Sequence, residues 1–581
     1  MVQEAIQDSP NEKITRLVSC LTLEHAGYGL AVLVALGLRL WDLGASPLGP
    51  AEALQALPAV AAVNGAAPDL VGISPLLHVL QRIAFALFGA SDSTARFWPA
   101  FLGGLSPALF FTFRRYLTPG GALAGAFLWS VSPLGVWSSR LAIGDALVPV
   151  AALAMFAVLA EKGRGRKAGT WLGLAAGLLL ISGPNAYTVS LGLVAAVLWP
   201  GSEVRKIWSG IRDQARLTLA GLLIALVTAT FFLTEPAGLA AGVGLISTWL
   251  SDLIPGRGEY SIAEIILRLV ISEPLILAFG ITGAISLLRR SERAGTWLGT
   301  ATAVALLVAL AGRGRHPVDL SLVALGLALL AGPVVHRVLG YAYEWRRERD
   351  PWLLVLITLS MLVASAFSLP SALNAANNGE WRSLYAGVGA ATLVMSVTVW
   401  VAYGVWGNWR TVARSLPIVL LVLGMAWQIG SMVSLSYDRS AGRQSGIVHE
   451  MPATDLLDLQ RELRNLSAQN GGGEREANVD VIWPSLATDP MLPVLRWQLR
   501  AFPNVRFSAS IPPDTAPLVL TQVEDQPRLD SYSGAEFAVL QRWTIAQLPD
   551  SGSILRWVLF REALTAPEKT RLILWADKSQ K

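Results

Sequence analysis

Residues 39–57 read RLWDLGASPLGPAEALQAL and residues 74–96 read SPLLHVLQRIAFALFGASDSTAR, and the way this stretch is read decides the topology of the chain. It follows a first apolar run, Leu23 to Trp41, and delays the next, Phe97 to Phe113. Pro75 to Phe88 is apolar too. At about 14 residues it falls short of the roughly 20 that a helix needs to cross the hydrocarbon. Counting it as a span would also invert every later loop.

Without it, spans fall near 23–41, 97–113, 120–137, 141–160, 168–183, 186–200, 215–234, 265–288, 296–312, 317–335, 351–369, 383–405 and 411–432. That count places Arg114, Arg115, Lys162 to Lys167, Arg205, Lys206, Arg212, Arg289, Arg290, Arg293, Arg337, Arg346, Arg347, Arg349, Arg410 and Arg414 on one side. Such clustering is what the positive-inside rule requires of cytoplasmic loops. Pro75–Phe88 is therefore expected to lie in the membrane interface as an amphipathic helix, inside an outer loop over residues 42–96. Loops of that length are usually functional.

The composition agrees with a polytopic α-helical membrane protein. Of 581 residues, 53% are hydrophobic and only 15% charged, and the mean hydropathy is +0.49. A soluble domain carries about a quarter charged residues. The net charge of +5 sits in short loops, where it orients helices, so it is no signal for nucleic acid. The single cysteine, Cys20, excludes an intrachain disulfide and a cysteine metal site. There is no phosphate-binding G-x-x-x-x-G-K-[ST] loop, so no ATP-driven pump is implied. The expected division is a cytoplasmic segment 1–22, a transmembrane domain 23–432, and an extracytoplasmic domain 433–581. In the last, LLDLQRELRNL has helical spacing. NVDVIW, VRFSAS, PLVLTQV, EFAVLQRW, ILRWVLF and RLILW read as strands, giving a small α/β or α+β fold.

Ionisable residues at membrane depth or its interface are costly, which makes each a candidate site. On the expected outer side these are Glu52 with Asp42; Arg96; Arg140 and Asp145 in SPLGVWSSRLAIGDAL; and Arg313, Arg315, His316 and Asp319. His78 lies on the interfacial helix. Arginine offers a planar fork of donors to phosphate oxygens, and a carboxylate can take a proton from an attacking hydroxyl. Together they suit group transfer from a lipid phosphate. Each also has a plainer reading. Arg39, Arg96 and Arg140 can snorkel to headgroups; Glu52 can cap a helix, and Asp145 can answer a helix dipole. His78 can be packing, Glu264 and Arg268 can pair four residues apart, Glu273 before Pro274 can mark a break, and His316 before Pro317 a helix start.

The order of these motifs resembles the polyprenyl-phosphate-dependent GT-C glycosyltransferases, which include the protein O-mannosyltransferases and the aminoarabinose lipid-A transferases. The residues that carry the likeness are Arg39-Leu40, Leu43, Pro47 to Ala53, Ser74-Pro75-Leu76, Phe88-Gly89, Ser91, Arg96, and Ser132 to Leu147. Phe232 to Leu250 and Trp483 to Phe507 are similar to a prokaryotic flippase-activity-associated branch. The resemblance implies a GT-C-like bundle of about thirteen helices with a C-terminal outer domain, in a prokaryotic cytoplasmic membrane. It implies transfer of a sugar from a polyprenyl-phosphate donor to an acceptor lipid, glycan or protein. Glu52 or Asp145 would be the base. Arg96, Arg140, His78, Arg313, Arg315 and His316 would hold the substrate. A second acid would bind the acceptor or, where one is used, a divalent metal; no metal ligands are assigned. In the family's loop motif an Asp precedes the Glu, and here that position is Ala51. This departure supports an alternative, a catalytically inactive lipid-binding scaffold or flippase partner.

Overall fold

The structure is a computed structural model that describes residues 22–160, 168–198, 215–256, 258–289, 293–377, 384–437, 450–469, 473–483, 489, 491–523, 531–548, 551–561 and 565–578. The expected cytoplasmic segment falls outside these residues except for Thr22, as do Lys162 to Lys167, Arg205, Lys206 and Arg212. The expected join between the two domains, at 432/433, lies inside the helix Trp409–Tyr437.

Each apolar run has a helical counterpart. Leu23–Leu40, Pro317–Arg347, Asp350–Ser368 and Trp409–Tyr437 are individually long and apolar enough to cross a membrane. Several others, such as Gly144–Ala160 and Ala186–Leu198, are shorter apolar helices. The run 97–113 is not one α-helix. An α-helix covers Asp92–Leu105, and a 3-10 helix continues over Ser106–Phe113. The run 265–288 is broken at Glu273 into Ile262–Ser272 and Pro274–Arg289, bent by 95°. Proline removes an N–H at that point and crowds the preceding turn. Leu320–Glu344 is central. Its residues from Leu320 to Leu330 are buried almost continuously, as expected of a helix surrounded by helices rather than lipid.

Arginines finish several helices. Arg39, fully buried, donates to the carbonyls of Ser130 (3.0 Å) and Trp129 (3.3 Å) at the end of Pro119–Ser130. Arg140 donates to Arg39 O (3.0 Å), Trp41 O (2.6 Å) and Asp42 O (3.3 Å), closing the end of Leu23–Leu40. Cations and last-turn carbonyls suit each other. At the opposite polarity, the buried Glu273 accepts from Ser132 Oγ and from Leu134 N–H (2.9 Å), capping the start of Pro133–Ser139. Glu264 forms a capping box with Ser261, while Arg268 stacks over Tyr260 at 4.5 Å.

The C-terminal domain is a mixed sheet of order β1-β5-β6-β4-β2-β3. The strands are β1 Glu450–Pro452, β2 Val479–Ile482, β3 Val505–Ser508, β4 Leu518–Gln522, β5 Tyr532–Arg542 and β6 Glu568–Asp577. β2 runs parallel to β3 and β4, and the other pairings are antiparallel. Of the expected strands only ILRWVLF differs. It is a helix, Ser551–Phe560, whose Trp557 stacks on Trp543 and whose Phe560 meets Phe367 of the membrane bundle. That tertiary contact rewards a helical face and overrides the β-branched composition.

One hydrophobic core joins the 42–96 loop to this domain. Leu48, Ala53, Ala56, Phe85 and Ala95 of the loop region pack with Leu456, Val494, Leu495, Trp497 and Leu540. Trp497 donates to Asp92 Oδ1 (2.5 Å), and Arg500 donates to Ala90 O (2.9 Å). Phe85 lies 5.9 Å from Trp497 between ring centroids. Phe85→Ala should therefore cost about 3–5 kcal/mol. Hydrogen exchange should rise in both the 75–88 and 491–499 helices. A rise confined to one would mean that the core is not shared.

Candidate active site

Of two adjoining cavities, one sits where the 42–96 loop, the helix ends and the C-terminal domain meet, and the other lies among the helix ends and their loops. The larger, about 320 Å³, is lined by Ala51, Glu52, Arg96, Arg140, Tyr260, His316 and, from the tail, Met451 and Pro452. The smaller, about 140 Å³, is lined by Asp145, Asn185, Asp252, Arg315, His316 and Asp319. Ile143 and His316 border both.

Glu52 is the most heavily bonded carboxylate of the site. It is the third residue of Pro50–Val63, and the N–H of Gly49 donates to its Oε2 at 3.0 Å. Arg96 grips it with both prongs, Nε to Oε1 at 2.7 Å and Nη2 to Oε2 at 2.6 Å. Ala142 N–H donates to Oε1 at 2.8 Å. The rest of Arg96 is spent on the carbonyls of Leu43 (3.0 Å), Ser46 (2.7 Å) and Pro47 (3.1 Å). Burial alone would raise the pKa of this carboxyl. The charge and hydrogen bonds of Arg96, with the two backbone N–H groups, outweigh burial and hold it below the usual carboxylate value. To act as a base, Glu52 would have to leave this clamp, and Arg96 would have to leave it to hold a phosphate. Ala51 is exposed beside it and faces the larger cavity.

Asp145 is differently placed. It lies in the 3-10 turn Gly144–Ala146, just before the membrane helix Val148–Ala160. Its Oδ1 accepts the N–H of Asn185 at 3.0 Å. Among the described residues no partner takes Oδ2. Asn185 also donates from Nδ2 to Asp319 Oδ1 at 2.7 Å, and the other oxygen of Asp319 accepts the N–H of His316 at 3.0 Å. Asn185 thus bridges two acids. It lies in the SGPN break between two apolar helices, a position that reads only as a hinge in the sequence. Asp252 was likewise not singled out by any motif.

The other expected site residues are divided. Arg315 lines the smaller cavity, while Nε donates to Tyr260 O (2.9 Å) and Nη1 to Gly312 O (2.5 Å). His316 caps the turn Pro317–Asp319 and stands edge-on to Tyr260. Arg313 is not among the residues lining either cavity and donates from Nε to Ser251 O at 3.2 Å. His78 is not at the cleft. It is buried, and its Nε2 lies 3.1 Å from Glu235, which also pairs with Arg82. Burial lowers the imidazole's pKa and Glu235 opposes that. This contact ties the 75–88 helix to a turn in which Phe231, Phe232 and Leu233 all have positive φ. Among the described residues no three His, Cys, Asp or Glu side chains are grouped as a metal site.

With this geometry in view, comparison with known proteins is informative. Residues 73–233 match the model of the dolichyl-phosphate-mannose-protein mannosyltransferase family. No curated protein matches the chain. Among solved structures, ArnT from Cupriavidus metallidurans bound to undecaprenyl phosphate aligns with a TM-score of 0.55 at 15% identity, covering 95% of this chain and 98% of that one. The same protein in its apo state aligns with a TM-score of 0.53 at 16% identity, covering 98% and 99%. The chain is a multi-pass helical membrane protein that shares the fold of ArnT.

The clamp makes a stability prediction. Arg96→Ala leaves a buried, unpaired carboxylate and should cost about 3–5 kcal/mol, whereas removing both charges as Glu52→Leu with Arg96→Leu should cost less. Thermal unfolding in detergent reads the difference. Because the pKa of Glu52 is lowered on folding, the stability it confers is present above the ordinary carboxylate pKa and is lost as pH falls through the lower folded value. Glu52→Gln should flatten that acid limb.

Proposed function

We propose that this protein transfers a sugar from a polyprenyl-phosphate donor to an acceptor on the outer face of a prokaryotic cytoplasmic membrane, with Asp145 as the base. The observation that carries this reading is the placement of Asp145, in a cavity that shares Ile143 and His316 with the larger cleft, with one oxygen that has no partner among the described residues. The match over residues 73–233 and the likeness in fold support the class of reaction.

In the proposed step an acceptor oxygen attacks the anomeric carbon. The bond from that carbon to the phosphate oxygen breaks, polyprenyl phosphate leaves with the electron pair, and the acceptor's proton passes to Asp145. Asn185 orients Asp145 through its backbone N–H. Arg315 and Arg140 already donate to carbonyls, so they favour the phosphate as nearby positive charge and less as free hydrogen-bond donors. Glu52 and Arg96 hold the cleft wall. Inversion at the sugar carbon follows from the resemblance.

A second reading rests on Ala51. The position that carries Asp in the family motif faces the cleft and holds no carboxylate. The chain would then bind the lipid phosphate without turning it over, as a scaffold or flippase partner.

Purified protein in lipid, given a labelled polyprenyl-phosphate sugar, separates the two. If Asp145 is the base, Asp145→Asn should lose about 10²–10⁴-fold in turnover. Full turnover by Asp145→Asn would remove this assignment. An inert wild type that gains turnover on Ala51→Asp would establish the scaffold reading.

A further inference from the structure

A third cavity, about 420 Å³, lies on the far side of the loop–tail interface from the membrane bundle's acids and takes no part in the proposed transfer. Its walls come from two sources. The 42–96 loop gives Ser91, Asp92 and Ser93, and the C-terminal domain gives Gln460, Arg464, Arg475, Gln498 and Arg500.

Three guanidiniums on one cavity wall repel one another, and among the described residues no set of acids neutralises all of them. Asp92 is the one acid on that wall, and its Oδ1 is taken by Trp497. Among the described residues Arg464 bonds to its own helix, at Gln460 Oε1 (3.0 Å) and Gln460 O (3.3 Å). Arg475 is exposed and has no ion-pair partner among the described residues. Arg500 is fixed by Trp497 O (2.6 Å) and Ala90 O (2.9 Å) and stacks on the Trp497 ring at 3.9 Å. Burial lowers its pKa, Asp92 opposes this, and the like charges of Arg475 and Arg464 lower it further.

The independent observation is Gln498. It is 3% exposed, and its Nε2 is buried without a hydrogen-bond partner among the described residues. An unmet buried donor costs about 1–3 kcal/mol, so its retention on a cavity wall points to a ligand acceptor. The cavity is too large for a bare oxyanion. The serine hydroxyls and the two amides can exchange hydrogen bonds with sugar hydroxyls, while the arginines suit a phosphate or carboxylate.

We propose that this cavity binds an anionic saccharide, a sugar carrying a phosphate or carboxylate, bridging the 42–96 loop and the C-terminal domain. Such a site stands whether or not the chain catalyses transfer.

Full-length protein in phosphatidylcholine nanodiscs would be titrated by calorimetry with glucose 1-phosphate, glucuronate, inorganic phosphate and glucose at fixed ionic strength. The expected result is saturable binding of the two anionic sugars, tighter than either phosphate or glucose. Arg475→Glu and Arg464→Gln should each weaken it by about tenfold or more, the scale of one charge-assisted hydrogen bond. Gln498→Leu should weaken it as well. Arg475 is exposed and makes no core contact, so its variant folds and keeps the test decisive. Absence of saturable binding overturns the proposal. So does equal binding of phosphate and glucose 1-phosphate, or an Arg475→Glu protein with unchanged affinity. So does binding seen only to anionic headgroups when phosphatidylglycerol replaces the neutral lipid.

Discussion

A buried carboxylate gripped by a buried arginine is tolerable only when nearly every donor and acceptor around it is used, because both charges have been taken out of water. Glu52 and Arg96 meet that condition with four donors to one carboxylate and three loop carbonyls on the guanidinium. The consequence is geometric. The pair fixes the chain at Leu43 to Pro47, the start of the 50–63 helix, the start of the 92–105 helix and the turn at Ala142. Those are the walls of the larger cavity. Asp145 lies three residues beyond Ala142 in sequence, so the clamp also sets the approach to the acid that carries no such partner. In the proposed transfer, Glu52 would act by positioning and Asp145 would take the proton.

The same economy explains the arginines. Residues that read as phosphate ligands in the sequence, Arg140 above all, are largely committed to the carbonyls that helices leave unpaired at their ends. In a membrane protein those carbonyls cannot turn to bulk water, and an arginine is the side chain with enough donors to satisfy several at once. A sequence shows that the arginine is present at the helix end. It does not show how many of its five N–H groups remain for a substrate.

Much of the fold was legible because it rests on local signals. Long apolar runs bounded by basic residues gave the helices, Pro274 after Glu273 gave the break, and alternating runs gave β2 to β6. Residues 554–560, ILRWVLF, misled because a short apolar run fits strand and helix equally well, and only Trp543 and Phe367 decide between them. The shared core of the loop and tail was hidden for the opposite reason. Phe85 and Trp497 are separated by some 400 residues, and nothing local announces their contact. Of the site, the acids and arginines were visible as costly residues at helix ends. Asn185 was not, because half of its contribution is a backbone N–H that any residue supplies. The glutamate–arginine clamp was not, because each partner had a separate functional reading.

The tail's contribution to the cleft follows from these same contacts. Met451 and Pro452 line the larger cavity from β1, an edge strand that pairs with β5. Tyr437, at the end of the last membrane helix, bonds to Leu38 O and stacks under Arg140 at 4.6 Å. The tail is therefore packed against the bundle and the loop. Its strand roofs the cavity, its core includes the loop, and its entry helix packs on the arginine that closes the first membrane helix. A shift of the C-terminal domain would open the cleft and loosen the 42–96 loop together, since both lean on the Phe85–Trp497 contact and the Asp92–Trp497 hydrogen bond. Ligand at the loop–tail junction and substrate in the cleft would then act on one body, and coupling between them requires no element beyond those already in contact.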